Sequence, residues 1–272
     1  MNRRESIRLG AASLFATSLG ADLSGASAPP EDAGWISLFN GHDVADWDFY
    51  QEKVGNKDRN HVVTVHDRVI HILGSTYTGD TQPGFGHLAT RREYSNYHLR
   101  ADFKWGTRRY APREHAKRNS GILYHMAPNA GAIWPDSIEF QIQESDVADA
   151  ILINTRALNG ASLAGTPAWP EQAGFASKEY VPPLIDAGFA RQWFRRDGNF
   201  EKLDDWNTVE LITLGDKAAH LVNGRIVTTI FNIQARDGTE GDRFVPLSRG
   251  RIALEIEGAE ILFRNIRVRA IG

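Results

Sequence analysis

The sequence predicts an all-β protein, a β-sandwich or jelly roll that carries a long loop insert. Three observations lead there. A dozen short stretches have the length and residue pattern of half-buried strands. Dipeptides suited to tight turns separate several of them. No long amphipathic helix interrupts the series, and short strands closing on one another make a sandwich or jelly roll.

In chain order, strands are expected at 35–39, 61–66, 69–73, 87–91, 97–105, 121–126, 137–143, 208–214, 218–222, 225–231, 251–256 and 261–268. The stretch 97–105 alternates clearly: Leu99, Ala101, Phe103 and Trp105 form one face, and His98, Arg100, Asp102 and Lys104 the other. Such a strand packs one side on a second sheet and turns a polar side outward, where a curved sheet makes it the floor of a cleft. Turns are expected at His66-Asp67, Gly215-Asp216, Asn223-Gly224 and Gly258-Ala259. Asn223-Gly224 is the sharpest of these, because a type I′ hairpin needs positive φ at both central residues.

About residues 145–206 the rhythm breaks. Pro167, Pro170, Pro182 and Pro183 alternate with glycines over a span too long for an ordinary connection. A helical turn or two fits 185–194. Trp169, Phe175, Trp193 and Phe194 in this insert either pin it to the sandwich or supply a lid in which Trp169 or Trp193 stacks on a ligand ring.

The bulk numbers exclude several classes. Hydrophobic content of 42% and charged content of 24% are ordinary for a globular protein of 272 residues. A net charge of -3 gives no reason to expect nucleic acid or an anionic membrane as partner. The absence of cysteine rules out disulfides, thiolate catalysis and Cys-ligated zinc. There is no phosphate-cradling loop, dinucleotide fingerprint or Gly-x-Ser-x-Gly elbow, and no His-x-x-x-His or His-x-His pair.

Residues 1–28 read as an export signal rather than fold. Arg3-Arg4 opens a positive region, a weakly apolar run follows to Leu19, and small residues stand at Ser24, Ala26 and Ala28. The run from Arg3 to Arg8 resembles a twin-arginine signal, with Ser6 where an aromatic is usual. Cleavage after Ala26 removes three arginines and two carboxylates, taking the charge from -3 to -4. The mature chain, a single sandwich domain from residue 29 to 272, is then expected in the periplasm or outside the cell. No later stretch reaches the roughly 18 apolar residues of a membrane span.

The most unusual run is Ser137-Ile138-Glu139-Phe140-Gln141-Ile142-Gln143-Glu144. Ile138, Phe140 and Ile142 enter a core, so Glu139, Gln141 and Gln143 stand together on the other face, about 7 Å apart along the strand. A carboxylate flanked by amides suits a polyhydroxylated ligand, and Glu139 can move a proton; the alternative is a polar strand edge. The run resembles the Glu-x-Asp-x-x-Glu of laminarinase-type retaining glycosidases, with Gln141 in place of Asp; Glu144 joins the face only if a bulge shifts the phase. Ahead of the preceding strand, Arg118-Asn119-Ser120-Gly121 is either a cleft edge, where Arg118 clamps a developing oxyanion and Asn119 binds hydroxyls, or an ordinary strand-start turn. His125, two residues past Leu123, is placed on the same face as Leu123.

Taken in order, the motifs resemble one family, the 3-keto-disaccharide hydrolases. Trp35-Ile36-Ser37-Leu38-Phe39-Asn40-Gly41-His42-Asp43 through Trp47 is similar to the family's opening W-x-x-L-F-N-G-x-D-L-x-G-W. Asn119-Ser120-Gly121-Ile122, Glu139-Phe140-Gln141-Ile142, Trp206-Asn207-Thr208-Val209, Val222-Asn223-Gly224-Arg225, Gly250 to Gly258 and Phe263-Arg264-Asn265-Ile266 are similar to its later motifs. The resemblance implies a concanavalin-like sandwich that cleaves 3-keto-glycosides. In that chemistry a base removes the proton at C2, an enolate forms at the C3 ketone, the C1 substituent leaves by β-elimination, and water then adds where the outcome is hydrolysis.

The resemblance carries these assignments: Glu139 as base or acid, Arg118 or a bound divalent cation at the enolate, and Glu257 as the second carboxylate. Asn119, Gln141, His125, Trp134, Trp169 and Glu255 are the candidate sugar contacts. Family members often carry Gln-x-Glu-Gly near the end, and here the first of those positions is Glu255. The implied partner is a small carbohydrate and no organic cofactor is expected; the metal requirement and oligomeric state stay open. Two other readings stand beside this one: a retaining β-glucanase-like glycosidase, and a non-catalytic carbohydrate-binding sandwich.

Overall fold

Two antiparallel sheets account for the fold in the computed structural model, which describes residues 33–128, 131–160, 192–238 and 243–271. The strands are β1 (Trp35–Ser37), β2 (Trp47–Gln51), β3 (Val63–His66), β4 (Val69–Ile72), β5 (Gly86–Thr90), β6 (Tyr97–Arg109), β7 (Asn119–Met126), β8 (Ser137–Gln143), β9 (Ala150–Ile153), β10 (Thr155–Asn159), β11 (Gln192–Phe194), β12 (Asn207–Leu214), β13 (Lys217–Val222), β14 (Arg225–Arg236), β15 (Phe244–Pro246), β16 (Arg251–Ile256) and β17 (Ala259–Ala270). One sheet of ten runs β10-β14-β13-β12-β6-β17-β4-β3, with β1 beside β17 and β15 beside β14. The other, of seven, runs β11-β9-β8-β7-β16-β5-β2. Among the described residues there is no helix, hence none long and apolar enough to cross a membrane.

The alternation expected of 97–105 is realised: Leu99, Ala101, Phe103 and Trp105 join the main core with Ile138, Phe140 and Ile142 from β8 and Ile252, Leu254 and Ile256 from β16. Burying those chains between the sheets supplies most of the folding free energy, at roughly 1.5–3 kcal/mol for each large side chain. The hairpin at Asn223-Gly224 has φ of 48° and 76°, as a type I′ turn requires.

All twelve expected strands are present, and five more accompany them. The expectation of a loop over about 145–206 is corrected at both ends, because β9 and β10 begin that span and β11 nearly closes it. Ala150–Ile153 is buried at every position, so it lacks the alternation that marks a half-buried strand. The helical turn expected over 185–194 is a strand at its last three residues, and the remainder lies outside the described residues. So does the export segment at 1–28.

A polar cluster fastens the chain where it re-enters at β11. The Asp149 carboxylate, fully buried, accepts from Trp193 Nε1 at 2.5 Å, from the Arg196 backbone N–H at 2.8 Å and from Arg196 Nη1 at 3.1 Å. The same guanidinium reaches Asp146 at 3.1 Å and the carbonyl of Ser145. At the other end, Asn159 pairs with Ile230 and the Gly160 N–H reaches the Thr229 carbonyl at 2.7 Å.

A buried imidazole links the two sheets. His220 stacks on Phe140 with centroids 4.4 Å apart, its Nδ1 lies 3.1 Å from the Ala148 carbonyl and its Nε2 lies 2.9 Å from the Tyr124 hydroxyl. A carbonyl can only accept, so Nδ1 donates and Nε2 accepts from the tyrosine: the imidazole is neutral. Burial pushes its pKa down from 6.5 to about 4. The unfolded chain therefore binds a proton that the folded one refuses, so stability is full above pH 6.5 and falls as pH drops toward 4. His220 alone is expected to remove on the order of 3 kcal/mol by pH 4. Urea midpoints measured from pH 7 to pH 4 should fall accordingly, and a flat profile down to pH 4.5 would contradict this account.

Candidate active site

On the face of the seven-stranded sheet turned away from the main core, strand pairing builds a row of side chains. Gln141 on β8 stands opposite Gly121 on β7. The pairs Ala253↔Leu123 and Leu254↔Ile122 bring Glu255 of β16 abreast of Gly121 from the other side. His87 of β5 is opposite Glu255, and Tyr50 of β2 is opposite His87. Glu139 lies one alternation along β8, opposite Leu123, and Glu257 follows Glu255 just past the end of β16.

The three carboxylates meet across the middle strand because that strand has no side chain there. A Cβ on Gly121 would lie 2.3 Å from Glu255 Oε2 and 2.9 Å from both Glu139 Cγ and Oε1. Glu139, Glu255 and Glu257 each offer an oxygen, all within 4.8 Å of one another. Their exposures are 0%, 1% and 1%, so they share a dry setting in which like charges repel strongly unless protons or a cation intervene.

Donors surround the group. The Asn119 amide donates to Glu257, and Arg113 Nη2 lies 3.7 Å from Glu257 Oε2. With its nitrogen turned to the surrounding acceptors, the Gln141 amide donates to Glu139 Oε1 at 2.6 Å, with Asn119 Oδ1 at 3.1 Å and the Ser120 carbonyl at 3.0 Å also in reach. The guanidinium of Arg113 stands 5.8 Å from the centroid of Phe85, whose ring is 5.7 Å from that of Trp134.

Glu139, Gln141, Asn119, Glu255 and Glu257 are thus brought together. Two expected members are elsewhere. Arg118 donates Nε to Glu144 at 3.1 Å and Nη1 to the Gly106 carbonyl at 2.9 Å, and its guanidinium lies over Trp105. Its neighbour Glu144 also pairs with Arg109 at 3.0 Å. Burial raises the Glu144 pKa, but the Arg118 hydrogen bonds and the charges of Arg118 and Arg109 outweigh it and hold the carboxyl below its usual value. Glu144 therefore serves an ion pair rather than acting as a second site carboxylate with Glu139.

His125 was expected on the face of Leu123 and is not there. A register shift lies between the Arg251↔Met126 and Ala253↔Leu123 pairs, and His125 has φ of 49°. That bulge turns its ring toward Tyr97 and Tyr124, in the main core, and hands the outer face to Met126.

Trp134 is half-buried and packs on a small apolar cluster of Ala89, Leu123, Met126, Ile151, Ile153 and Ala253. It lies on the face of the carboxylates but is held by that cluster. Trp169 lies outside the described residues. Trp193 is 44% exposed and pairs with Ile151, which pairs with Glu139.

Sequence reasoning missed Gly121 and Arg113. A glycine inside a strand is a recognised sign of close approach, so Gly121 was within reach. Arg113 sits in an irregular stretch between β6 and β7, where no periodicity marks which way a side chain faces.

Three comparisons bear on kinship. A family model described as the 3-keto-alpha-glucoside-1,2-lyase-like domain matches residues 34–269. Two solved structures of putative glycosyl hydrolases from Parabacteroides distasonis are similar. One is 17% identical with a TM-score of 0.52, the match covering 88% of this chain and 94% of that one. The other is 18% identical with a TM-score of 0.50, covering 87% and 99%. At such identity the likeness is one of fold. A search of curated proteins finds no match.

The gap at Gly121 is open to a direct test. Gly121→Ala is expected to cost roughly 1–3 kcal/mol in urea unfolding, because its Cβ must force two buried carboxylates apart. Gly238→Ala, where a Cβ meets nothing within 4 Å, is expected to stay within about 0.5 kcal/mol. Equal effects at the two positions would remove the special role given to Gly121.

Proposed function

The chain belongs to the 3-keto-α-glucoside-1,2-lyase-like family, and from that premise we propose that it cleaves 3-keto-glycosides by C2 deprotonation and β-elimination. The observation that supports this most is the trio of buried carboxylates gathered over Gly121. An elimination of this kind needs a base, a proton donor for the leaving oxygen, and positive charge where the enolate forms.

Glu139 takes the C2 proton, its oxygen steadied by the Gln141 amide. The electrons of the C2–H bond pass into the enolate, and their return expels the C1 substituent, whose oxygen takes a proton from the Glu257 carboxyl. Asn119 orients Glu257. Arg113, rather than Arg118, brings a guanidinium close enough to this pair to answer developing negative charge. The unsaturated ketone leaves as such or gains water at C1.

Glu139, Glu255 and Glu257 also fit a divalent cation: they are hard oxygen donors, close together, in a cradle that a Cβ at residue 121 would fill. Such an ion would supply Lewis-acid charge at the C3 oxygen. With the export signal expected over residues 1–28, the same reading puts the reaction in the periplasm or outside the cell.

The carboxylate spacing within 4.8 Å also lies near the roughly 5 Å of retaining glycosidases, which makes unoxidised β-glucan the informative second substrate. A pure sugar-binding module is less favoured, since it calls for a shallow exposed platform rather than buried acids. Purified protein is expected to release methanol from methyl 3-keto-glucoside, with or without added Mn2+, and not to act on β-glucan. Glu139→Gln is expected to lose about 10²–10⁴-fold in kcat. Arg113→Ala should lose more activity than Arg118→Ala, whose side chain serves an ion pair. No turnover of the keto-sugar with any divalent ion present, or cleavage of β-glucan instead, would overturn the proposal.

A further inference from the structure

The outer face of the ten-stranded sheet, on the other side of the sandwich from the carboxylates, carries charge that the elimination chemistry does not use. On β6 the residues out of phase with the core positions Leu99, Ala101 and Phe103 point outward: His98, Arg100, Asp102 and Lys104. Strand β17 sets Arg264 opposite Asp102, Arg267 opposite Arg100 and Arg269 opposite His98. Arg264 and Arg267 are three residues apart and would fall on opposite faces of a regular strand. A bulge between them, with Asn265 at φ of 53°, brings all three arginines to the outer face. Arg267 against Arg100 is a like-charge cross-strand pair, an arrangement that costs stability until something negative lies over it.

These cations are positioned by the protein but not consumed by it. Tryptophans hold three of the guanidiniums: Arg267 and Arg269 lie 4.9 and 5.0 Å from the Trp35 ring centroid, and Arg264 lies 3.8 Å from that of Trp206. A guanidinium stacked on a ring keeps its N–H edges for an oxyanion and has given up much of its freedom beforehand. The neighbouring carboxylates are already engaged. Asp102 accepts from Thr208 Oγ1 at 2.8 Å and from Asn265 Nδ2 at 2.7 Å, with Arg264 Nε at 3.5 Å. Glu210 accepts from His98 Nε2 at 2.8 Å, and Glu260, at the far end, accepts from the backbone N–H groups of Thr107 and Arg108. Among the described residues Arg100 and Lys104 make no hydrogen bond and no ion pair, and both are partly exposed.

We propose that this strip docks an acidic polysaccharide, whose carboxylate or sulfate groups are received by Arg100, Lys104, Arg264, Arg267 and Arg269. The cations lie on two adjacent strands, about 5 Å apart, and run for roughly 20 Å between the levels of Lys104 and His98. A single extended polymer with charges on successive sugars matches so long and narrow a track. A lipid surface would have to cover Glu210 on β12 as well, and β6, β12 and β17 offer it no exposed large apolar side chain to insert. Nucleic acid bases call for open aromatic faces, and Trp35 and Trp206 carry guanidiniums on theirs. Because the strip faces away from Glu139, a bound polymer tethers the protein and leaves the carboxylates free.

The test is calorimetric titration of the full chain with sodium polygalacturonate and with dextran sulfate in about 50 mM NaCl. At least one of the two is expected to bind, neutral dextran is not, and the affinity should fall steeply in about 0.5 M NaCl as screening sets in. Arg100→Glu and Lys104→Glu break no ion pair, and each is expected to weaken binding about tenfold. Lys57→Glu makes the same charge change in the exposed loop between β2 and β3 and is expected to leave binding unchanged. Thermal melts establish that each variant is folded. Binding of neither acidic polymer, an equal loss in Lys57→Glu, or tighter binding to phosphatidylglycerol vesicles or single-stranded DNA than to either polymer overturns the proposal.

Discussion

Two side chains on strands that flank a third can touch only if the middle strand gives way, and here it does so by carrying hydrogen at Gly121. Everything chemical about this face follows from that vacancy. Glu139 and Glu255 lean into it from opposite sides, Glu257 closes in from the turn beyond β16, and the amides of Asn119 and Gln141 are drawn to the carboxylates so placed. Such a cluster works against folding, since taking an anion out of water costs several kcal/mol even after the protein relaxes. The sandwich tolerates it because the opposite faces of the same strands carry Ile122, Phe140 and Leu254 into a continuous core. One strand therefore does two opposed things at once, and the period-two geometry of β structure keeps them apart.

The charged residues nearby divide sharply by environment. Arg118 and Glu144 neutralise each other close to the surface, together with Arg109. Arg113 is turned toward a carboxylate that is almost wholly out of water. His220 and His87 are both neutral for the same reason, burial, yet one has both ring nitrogens occupied by neighbours and the other has one left over. His220, with both nitrogens engaged, fastens one sheet to the other.

Much of the fold was legible, because alternation is a property of the chain itself. Ile138, Phe140 and Ile142 point inward and Glu139 and Gln141 outward for no reason beyond strand geometry, and the positive φ values at Asn223 and Gly224 follow from their residue types. The strands that escaped notice are short or buried on both faces, such as Ala150–Ile153, where alternation carries no information. At the site, the residues on regular strands were legible and those governed by irregularity were not. His125 was misplaced because a bulge is a local decision of pairing that no period announces. Arg118 turns to Glu144 and Arg113 to Glu257 because both belong to the stretch leading into β7, where the direction of a side chain depends on tertiary contacts alone.

The fastening around Asp149 has a wider meaning for how the site is aimed. The chain departs the ten-stranded sheet after a paired Asn159 and returns through Trp193 and Arg196, gripped by Asp149 and Asp146. Both gateposts are built from strands and side chains of the sandwich: Asn159 on β10 at one end, and Asp146 and Asp149 at the other. The alignment of β8 that aims Glu139 is consequently a matter of strand pairing, fixed by β7 on one side and β9 on the other, with the returning chain clamped to β9.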